Sequence, residues 1–329
     1  MSEQLLFLFP GQGAQYAGIG SDLHREYASA RQVYTIASDV LGYDIAELSF
    51  SGPEDRLKLT RYTQPVLLTH HIACLTVFRE LTANQVHPQL SGGHSLGEYS
   101  ALVAAGVLDF TTALRLVQKR GELMGEFGAG EMSALPLEFS AAQPLAEKYC
   151  CAVAGLNLKD QIVVGGLPAD LDRLEAELAE TQPRKRPVRL KTEGAFHTYY
   201  MVSAAQEYRA VLETAEFQPS SVQVLSNYTG GIHTTDPDTI RTRLFFQLFN
   251  PVRWVDNLHT ALAGGITRII EFGGGIGKGE TPAEKRPNLE GMIKKIQRGT
   301  DYAAKYHAAI NQATLSNTAE ALHSLTARA

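Results

Sequence analysis

The sequence predicts an α/β fold in two parts, a large subdomain on a buried parallel sheet and a smaller one inserted into it. Three observations carry this. Short apolar runs such as "LLFLF" (5–9) and "TRIIEF" (267–272) end in glycine-rich loops and alternate with helical segments, as buried parallel strands do. "LSGGHSLGEYSALVAAG" (90–106) sets a tight glycine turn between an apolar run and a helix former. Between about 129 and 196 the pattern shifts to short strands and helices in the order β-α-β-β-α-β, the ferredoxin-like arrangement.

Taken in order, "EQLLFLFPGQG" reads as a strand ending in a Pro-Gly loop. Residues 20–83 read as mainly helical, with "TQPVLLTHHIACLTVFREL" the clearest apolar helix, and helices follow over 96–106 and 111–125. In the inserted part, "EMSALPL" is strand-like, "SAAQPLAEKY" helical, "CCAVAGLN" and "QIVVGG" strand-like, "PADLDRLEAELAET" helical and "PVRLKTEGAF" strand-like. The alternation then resumes with helix 203–216, strand "VQVLSNYTG", helices 238–248 and 254–263, and strand "TRIIEFGG". Beyond 301 the chain is Ala-rich and weakly amphipathic, which predicts a helix with a mobile end. The expected organisation is therefore 1–128 with 197–300 as the large core, 129–196 as the insertion, and 301–329 as a C-terminal helix and tail.

Composition bounds the function. The 329 residues are 44% hydrophobic and 20% charged, enough for a sizeable core in an ordinary globular chain. No apolar run reaches the roughly 20 residues of a membrane helix. The N-terminus has neither a positive n-region nor a small-residue cleavage site, so a cytoplasmic protein without membrane association is expected. A net charge of −5 argues against nucleic-acid binding. The three cysteines, Cys74, Cys150 and Cys151, lack C-x-x-C spacing, so neither a disulfide framework nor a metal site is expected.

Gly93-His94-Ser95-Leu96-Gly97, after a strand and before a helix, has the form of a nucleophile elbow, the turn that lifts a serine above the sheet of α/β-hydrolase-like folds. The alternative is a glycine-rich loop with an idle serine; the helix-forming "EYSALVAA" that follows favours the elbow. A nucleophilic serine needs a base, normally histidine. Of ten histidines, His94 adjoins the serine, but adjacent side chains on an elbow diverge. His197, in "EGAFHTYYM", stands where the insertion returns the chain to the large subdomain, where a cleft would form; spacing alone leaves it one candidate among several. Arg120 falls on the apolar stripe of "TTALRLVQKRGELMG" (Ala113, Leu116, Val117, Leu123, Met124). It is either snorkelling at the stripe's edge or held for a bidentate grip on a carboxylate.

Together these residues resemble the malonyl-CoA:acyl carrier protein transacylase family, including the discrete acyltransferases that serve fatty-acid and polyketide synthases. "FPGQGAQYAGIG" resembles its N-terminal loop, "GHSLGEYSAL" its elbow, "LVQKRGELM" its arginine helix, "GAFHTYYM" its histidine motif and "QLFNPVRW" the segment behind that histidine, over about residues 4–296. The resemblance implies Ser95 as nucleophile and His197 as base, the imidazole being oriented by the Gln247 backbone carbonyl. It implies an oxyanion hole from the N–H groups of Gln12 and Leu96, and Arg120 as partner of a malonyl-type carboxylate. Asn157 matches a position close to the histidine, with a turn asparagine as the alternative, and Gln64 one that lines the cleft. The implied reaction passes an acyl group from CoA to the phosphopantetheine thiol of an acyl carrier protein by a ping-pong cycle without metal or redox cofactor. A monomer is the family expectation.

Three stretches depart from or extend the pattern. Thr198-Tyr199-Tyr200 replace the family's small residue and proline; the two phenols either reshape the acyl pocket or pack on the subdomain linker. "KGETPAEKRP" (278–287) lengthens a turn, does not satisfy the phosphate-loop pattern, and reads as a charged surface loop within reach of a carrier protein. "PRKRPVRLK" gathers Arg184, Lys185, Arg186, Arg189 and Lys191; it is either a solvated edge or a docking patch for an acidic carrier protein. Two alternatives to malonyl transfer stand beside it. One is transfer of an unusual acyl or aminoacyl group between two carrier proteins, which Tyr199 and Tyr200 favour; the other is an editing hydrolase, against which Arg120 speaks.

Overall fold

A computed structural model describes residues 3–190 and 192–326. Among the described residues, nine strands form two sheets: β1 (Leu5–Phe9), β2 (Leu90–Gly93), β3 (Glu131–Leu135), β4 (Ala152–Leu158), β5 (Gln161–Gly166), β6 (Val188–Leu190), β7 (Gln223–Val224), β8 (Arg268–Phe272) and β9 (Lys305–Ala309). The large sheet runs β7-β2-β1-β8-β9 and every pairing in it is parallel. The small sheet runs β4-β5-β3-β6, antiparallel throughout. With its two helices, Phe139–Lys148 and Pro168–Thr181, the small sheet completes the expected ferredoxin-like subdomain.

The central strand β1 is apolar at every position because helices cover both faces of the sheet. Phe7 and Phe9 point into one core, where both pack on Phe272, while Leu6 and Leu8 point into a second core around Trp254 and Leu258. The expected long helix is Thr60–Leu81, buried along most of its length under the first core. Gly97–Ala104 continues directly from the turn after β2.

Two segments differ from the sequence-based expectation. The stretch beyond 301 does not form a helix and tail outside the core: Lys305–Ala309 is the fifth strand of the large sheet, parallel to β8, and the helix Gln312–Thr326 packs on it and on Thr60–Leu81. "KYHAA" shows no period-two alternation because β9 is an edge strand of mixed burial, so periodicity did not mark it. The mobile end expected there falls on 327–329, outside the described residues. The strand expected in "VQVLSNYTG" is only two residues long, and the following Ser226–Gly231 forms a turn closed by a Leu225–Ile232 bridge. That turn brings Asn227 behind the elbow.

Candidate active site

The carboxyl ends of adjacent β1 and β2 open into one cleft, where ligands of parallel α/β sheets bind. After β2 the chain reverses within three residues. Ser95 has φ +53, a left-handed conformation that a non-glycine residue adopts only under constraint. The glycines on either side make the turn possible: a Cβ on Gly93 would lie 2.0 Å from the Gly97 carbonyl carbon, and one on Gly97 would lie 2.1 Å from Phe9 O. The Asn227 carboxamide holds the turn, accepting from Ser95 N at 2.6 Å and donating to Gly93 O at 2.8 Å.

Ser95 Oγ lies 2.7 Å from His197 Nε2, across 102 positions of sequence. His197 Nδ1 lies 2.7 Å from the backbone oxygen of Gln247. Donation from Nδ1–H to that carbonyl leaves the Nε2 lone pair facing the serine hydroxyl, the tautomer a general base needs. Burial, reinforced by the positive charge of Arg120, lowers the His197 pKa to about 3, so the ring is neutral at physiological pH. His197 also has positive φ (+61), and its N–H donates to Leu248 O.

Arg120 is 1% exposed, so it is not snorkelling to the surface. Its Nη1 donates to Gln64 Oε1 and its Nη2 to Gln247 Oε1, both at 2.9 Å, and Nη2 also reaches Ser95 Oγ at 3.3 Å. Among the described residues no carboxylate forms an ion pair with it, and its Nε has no partner. A buried cation held only by neutral groups, two amides, the Ser95 hydroxyl and the Tyr99 ring 5.6 Å away, is electrostatically incomplete and suits an anionic ligand.

The cleft, about 450 Å³, lies between the subdomains: Gln12, Ser95 and Arg120 line it from the large one, Asn157, Val163 and Arg189 from the small one. A more open hollow of about 630 Å³, near Tyr43, Arg61 and Glu193, contains neither Ser95 nor His197. Gln12 and Leu96 both line the cleft, and neither backbone N–H has a hydrogen-bond partner among the described residues. Gly11 lets the first loop press on the second: a Cβ there would meet His94 O at 2.6 Å.

The acyl transferase domain family matches residues 6–271. The malonyl CoA-acyl carrier protein transacylase of Bacillus subtilis (strain 168) is 36% identical over 304 residues, covering 90% of this chain and 91% of that protein. This chain belongs to the malonyl CoA-acyl carrier protein transacylase family. Solved members superpose along nearly all of the chain. The transacylase of Streptococcus pneumoniae is 33% identical with a TM-score of 0.85, covering 97% of this chain and 100% of that one. A malonyl-transacylase solved in complex with a type II PKS acyl-carrier protein is 32% identical with a TM-score of 0.86, at the same coverage.

Within this family member, Ser95, His197, Gln12, Leu96, Gln247, Arg120, Gln64 and Asn157 converge on one cleft. Asn157 differs in detail: its Oδ1 lies 2.9 Å from Nε2 of His94, not against His197. His94 is thereby turned from the serine and packs edge-on against Trp254, a scaffold residue. Tyr199 and Tyr200 correct an expectation, for neither lines the cleft. Tyr199 is 51% exposed, stacks on Tyr200, and donates from its hydroxyl to Cys150 O at 2.6 Å. In the 3-10 turn Tyr199–Met201, capped by Thr198, Tyr199 reaches the small subdomain at Cys150 and Tyr200 packs against the main core. The structural ground for an enlarged acyl pocket is thus removed.

Arg184, Lys185 and Arg186 lie exposed on the turn after the Pro168–Thr181 helix, away from the cleft lining. Arg189 does not belong to a free basic patch: it is tied to Glu131, Asp172 and Glu175. Lys191 lies outside the described residues. The 278–287 segment is anchored as well as charged. Ile276 bridges to Arg286, Lys285 Nζ sits 4.6 Å from the Tyr16 ring centroid, and Asn311 donates to Pro282 O.

Sequence reading passed over Asn227, Glu98 and His233, and gave Gln247 only its backbone. Glu98 did carry a signal: a carboxylate three residues after the serine, the one charged residue of the helix Gly97–Ala104. Among the described residues no group of His, Cys, Asp or Glu gathers as a metal site, and no helix is long and apolar enough to cross a membrane.

Proposed function

We propose that this protein transfers a malonyl group from CoA to the phosphopantetheine thiol of an acyl carrier protein, in the cytoplasm and without a cofactor of its own. The observation that carries this reading is the buried Arg120, free of any carboxylate partner and 3.3 Å from Ser95 Oγ. A guanidinium so placed accepts the free carboxylate of a malonyl thioester while its thioester carbonyl reaches the serine.

The steps follow from the geometry. As Ser95 Oγ bonds to the thioester carbon, its proton passes to His197 Nε2, 2.7 Å away. The carbonyl oxygen becomes an oxyanion between the Gln12 and Leu96 N–H groups, at the start of the Gly97–Ala104 helix whose dipole favours negative charge. The C–S bond breaks, the CoA thiolate takes the proton from His197, and malonyl-Ser95 remains. The phosphopantetheine thiol of the carrier protein then gives its proton to His197, attacks the ester carbon, and expels Ser95, which recovers the proton. Gln64 and Gln247 hold Arg120 in place throughout. An acetyl group leaves the guanidinium unpaired, a penalty of about 1–3 kcal/mol, which is about one to two orders of magnitude in selectivity.

Intact-protein mass after brief incubation with malonyl-CoA or acetyl-CoA tests the reading. The wild type should gain a malonyl adduct, Ser95→Ala none, and Arg120→Ala much less malonyl with little change for acetyl. Equal acylation by the two esters in the wild type would refute malonyl selection; consumption of the ester with no adduct would indicate hydrolysis instead.

A further inference from the structure

Among the described residues the chemistry above leaves two buried carboxylates unused, Glu98 and Glu271, and Glu98 touches the groups that hold the site. Its Oε2 accepts from Gln247 Nε2 at 2.8 Å and from the Asn227 backbone N–H at 3.1 Å. Its Oε1 accepts from His233 Nε2 at 2.6 Å. Both side chains of this pair are almost wholly buried, at 2% exposure for His233 and 0% for Glu98. The next contacts outward are the reacting groups. Gln247 accepts from Arg120 through Oε1 and from His197 through its backbone oxygen, and Asn227 accepts the Ser95 N–H.

The Gln247 carboxamide therefore stands between a cation and an anion. Its oxygen faces the guanidinium; its NH2 donates to Glu98 and to Ser95 O at 2.9 Å. Reversing the amide would set NH2 against guanidinium and oxygen against carboxylate, two repulsive contacts in a site closed to water. A neutral group at position 98 would not enforce this orientation. A buried carboxylate is also a poor stabiliser compared with an apolar side chain of equal volume, so stability alone does not account for one here.

We infer that Glu98, backed by His233, is a positioning residue for acyl selection: it orients the Gln247 amide and so aims Arg120 at the acyl carboxylate, while holding the Asn227 turn under Ser95. This rests on the malonyl-transfer reading. The guanidinium keeps no direct carboxylate partner, so the substrate carboxylate completes the pattern that Glu98 and Gln247 orient.

The test compares self-acylation rates from malonyl-CoA and acetyl-CoA in the wild type, Glu98→Gln, Glu98→Asp and His233→Gln, with thermal melting as a check of folding. Glu98→Gln should lower both rates, and the malonyl:acetyl ratio should fall by about tenfold, the equivalent of one charge-assisted hydrogen bond. Glu98→Asp keeps the charge and should restore part of the ratio. His233→Gln keeps a donor toward Oε1 and should lower the ratio less than Glu98→Gln does. A ratio unchanged in Glu98→Gln overturns the inference, whether the rates hold or fall together, because a merely structural residue moves both alike. Should Glu98→Gln not fold, the His233→Gln ratio decides by the same criterion. A wild type that prefers malonyl while Glu98→Gln keeps that preference refutes only the Glu98 role; a wild type that takes up no malonyl group refutes the substrate reading and this role with it.

Discussion

His197 lies between two influences that both disfavour its charged form, burial and the Arg120 guanidinium, and together they bring its pKa to about 3. A base of this kind stays unprotonated through the mildly acidic range, so Ser95 acylation should show no acid limb near the ordinary histidine value of 6.5. Arg120→Gln removes the like charge, which favours the imidazolium; its pKa must rise, and the acid limb should move toward higher pH. Burial is the larger cause and persists, so the limb should remain below 6.5. Acylation rates by acetyl-CoA across pH 4–7 measure this, and a limb that stays in place would exclude the charge coupling. Tyr199 belongs to the same scale with the opposite expectation. Its hydroxyl donates to Cys150 O, outside the cleft, so Tyr199→Phe should leave the malonyl:acetyl ratio within about twofold of wild type, the usual range of a surface change. A larger change would return this residue to the acyl pocket.

At the scale of elements, the most informative piece is the C-terminal β9 with its helix. Ala309, Ile310, Leu315, Ala319 and Leu322 are all buried, and β9 covers the edge of β8. Truncation before Asp301 removes these five contacts, each worth on the order of 1–2 kcal/mol for the larger side chains, and opens a sheet edge to other chains. The truncated protein should be insoluble or melt well below wild type, whereas a detachable tail would leave the melting temperature unchanged. The 278–287 segment is tied on three sides, to Tyr16 in the loop that carries Gln12, to Ile276, and to Asn311 ahead of the C-terminal helix. It thus joins the C-terminal unit to the loop that contributes half of the proposed oxyanion hole. The Gln12 loop and the elbow reach one cleft because β1 and β2 are adjacent and parallel, so their carboxyl ends open on the same side.

For the whole molecule, several buried histidines set the acid response. Burial lowers the pKa of His70 to about 4 and of His197 to about 3, and lowers His71 and His94 as well. In the unfolded chain each takes up a proton near 6.5, so between about 4 and 6.5 the unfolded state binds more protons and stability rises with pH. Glu271 opposes this: burial raises its pKa to about 7, so the folded state holds its proton longer between 4.5 and 7. Four histidines outweigh one glutamate, and the melting temperature should fall as pH drops from 6.5 toward 4. A flat or rising curve would show that the histidines are not buried neutral. The outer surface carries the proposed carrier-protein contact. Combined Arg184→Glu and Arg186→Glu should raise the carrier-protein KM, most at low salt where charge steering is strongest, and leave self-acylation from malonyl-CoA unchanged. An unaltered KM would remove the turn from the docking surface.

How much of this was legible in the sequence depends on the range of the forces involved. The elbow is local, since glycines at 93 and 97 are required by contacts within a few residues and with the adjacent strand, and its motif was readable as written. The ferredoxin-like order was equally plain, because period-two and period-3.6 patterns reflect each element's own half-buried surface. Gln247 as the partner of His197 came from family resemblance, not from spacing. What only the tertiary structure decided were matters of direction and long-range pairing. No periodicity shows that Glu98, Asn227, Gln247 and His233 meet behind the serine, because their hydrogen bonds span 129 to 149 positions. Nor does it show that Tyr199 turns outward two residues after the histidine that turns in, since the positive φ at His197 breaks the local pattern. By itself the sequence determined which groups could react and which subdomain carries each. Folding decided which of them share one water-poor cleft, and therefore which charges balance one another there.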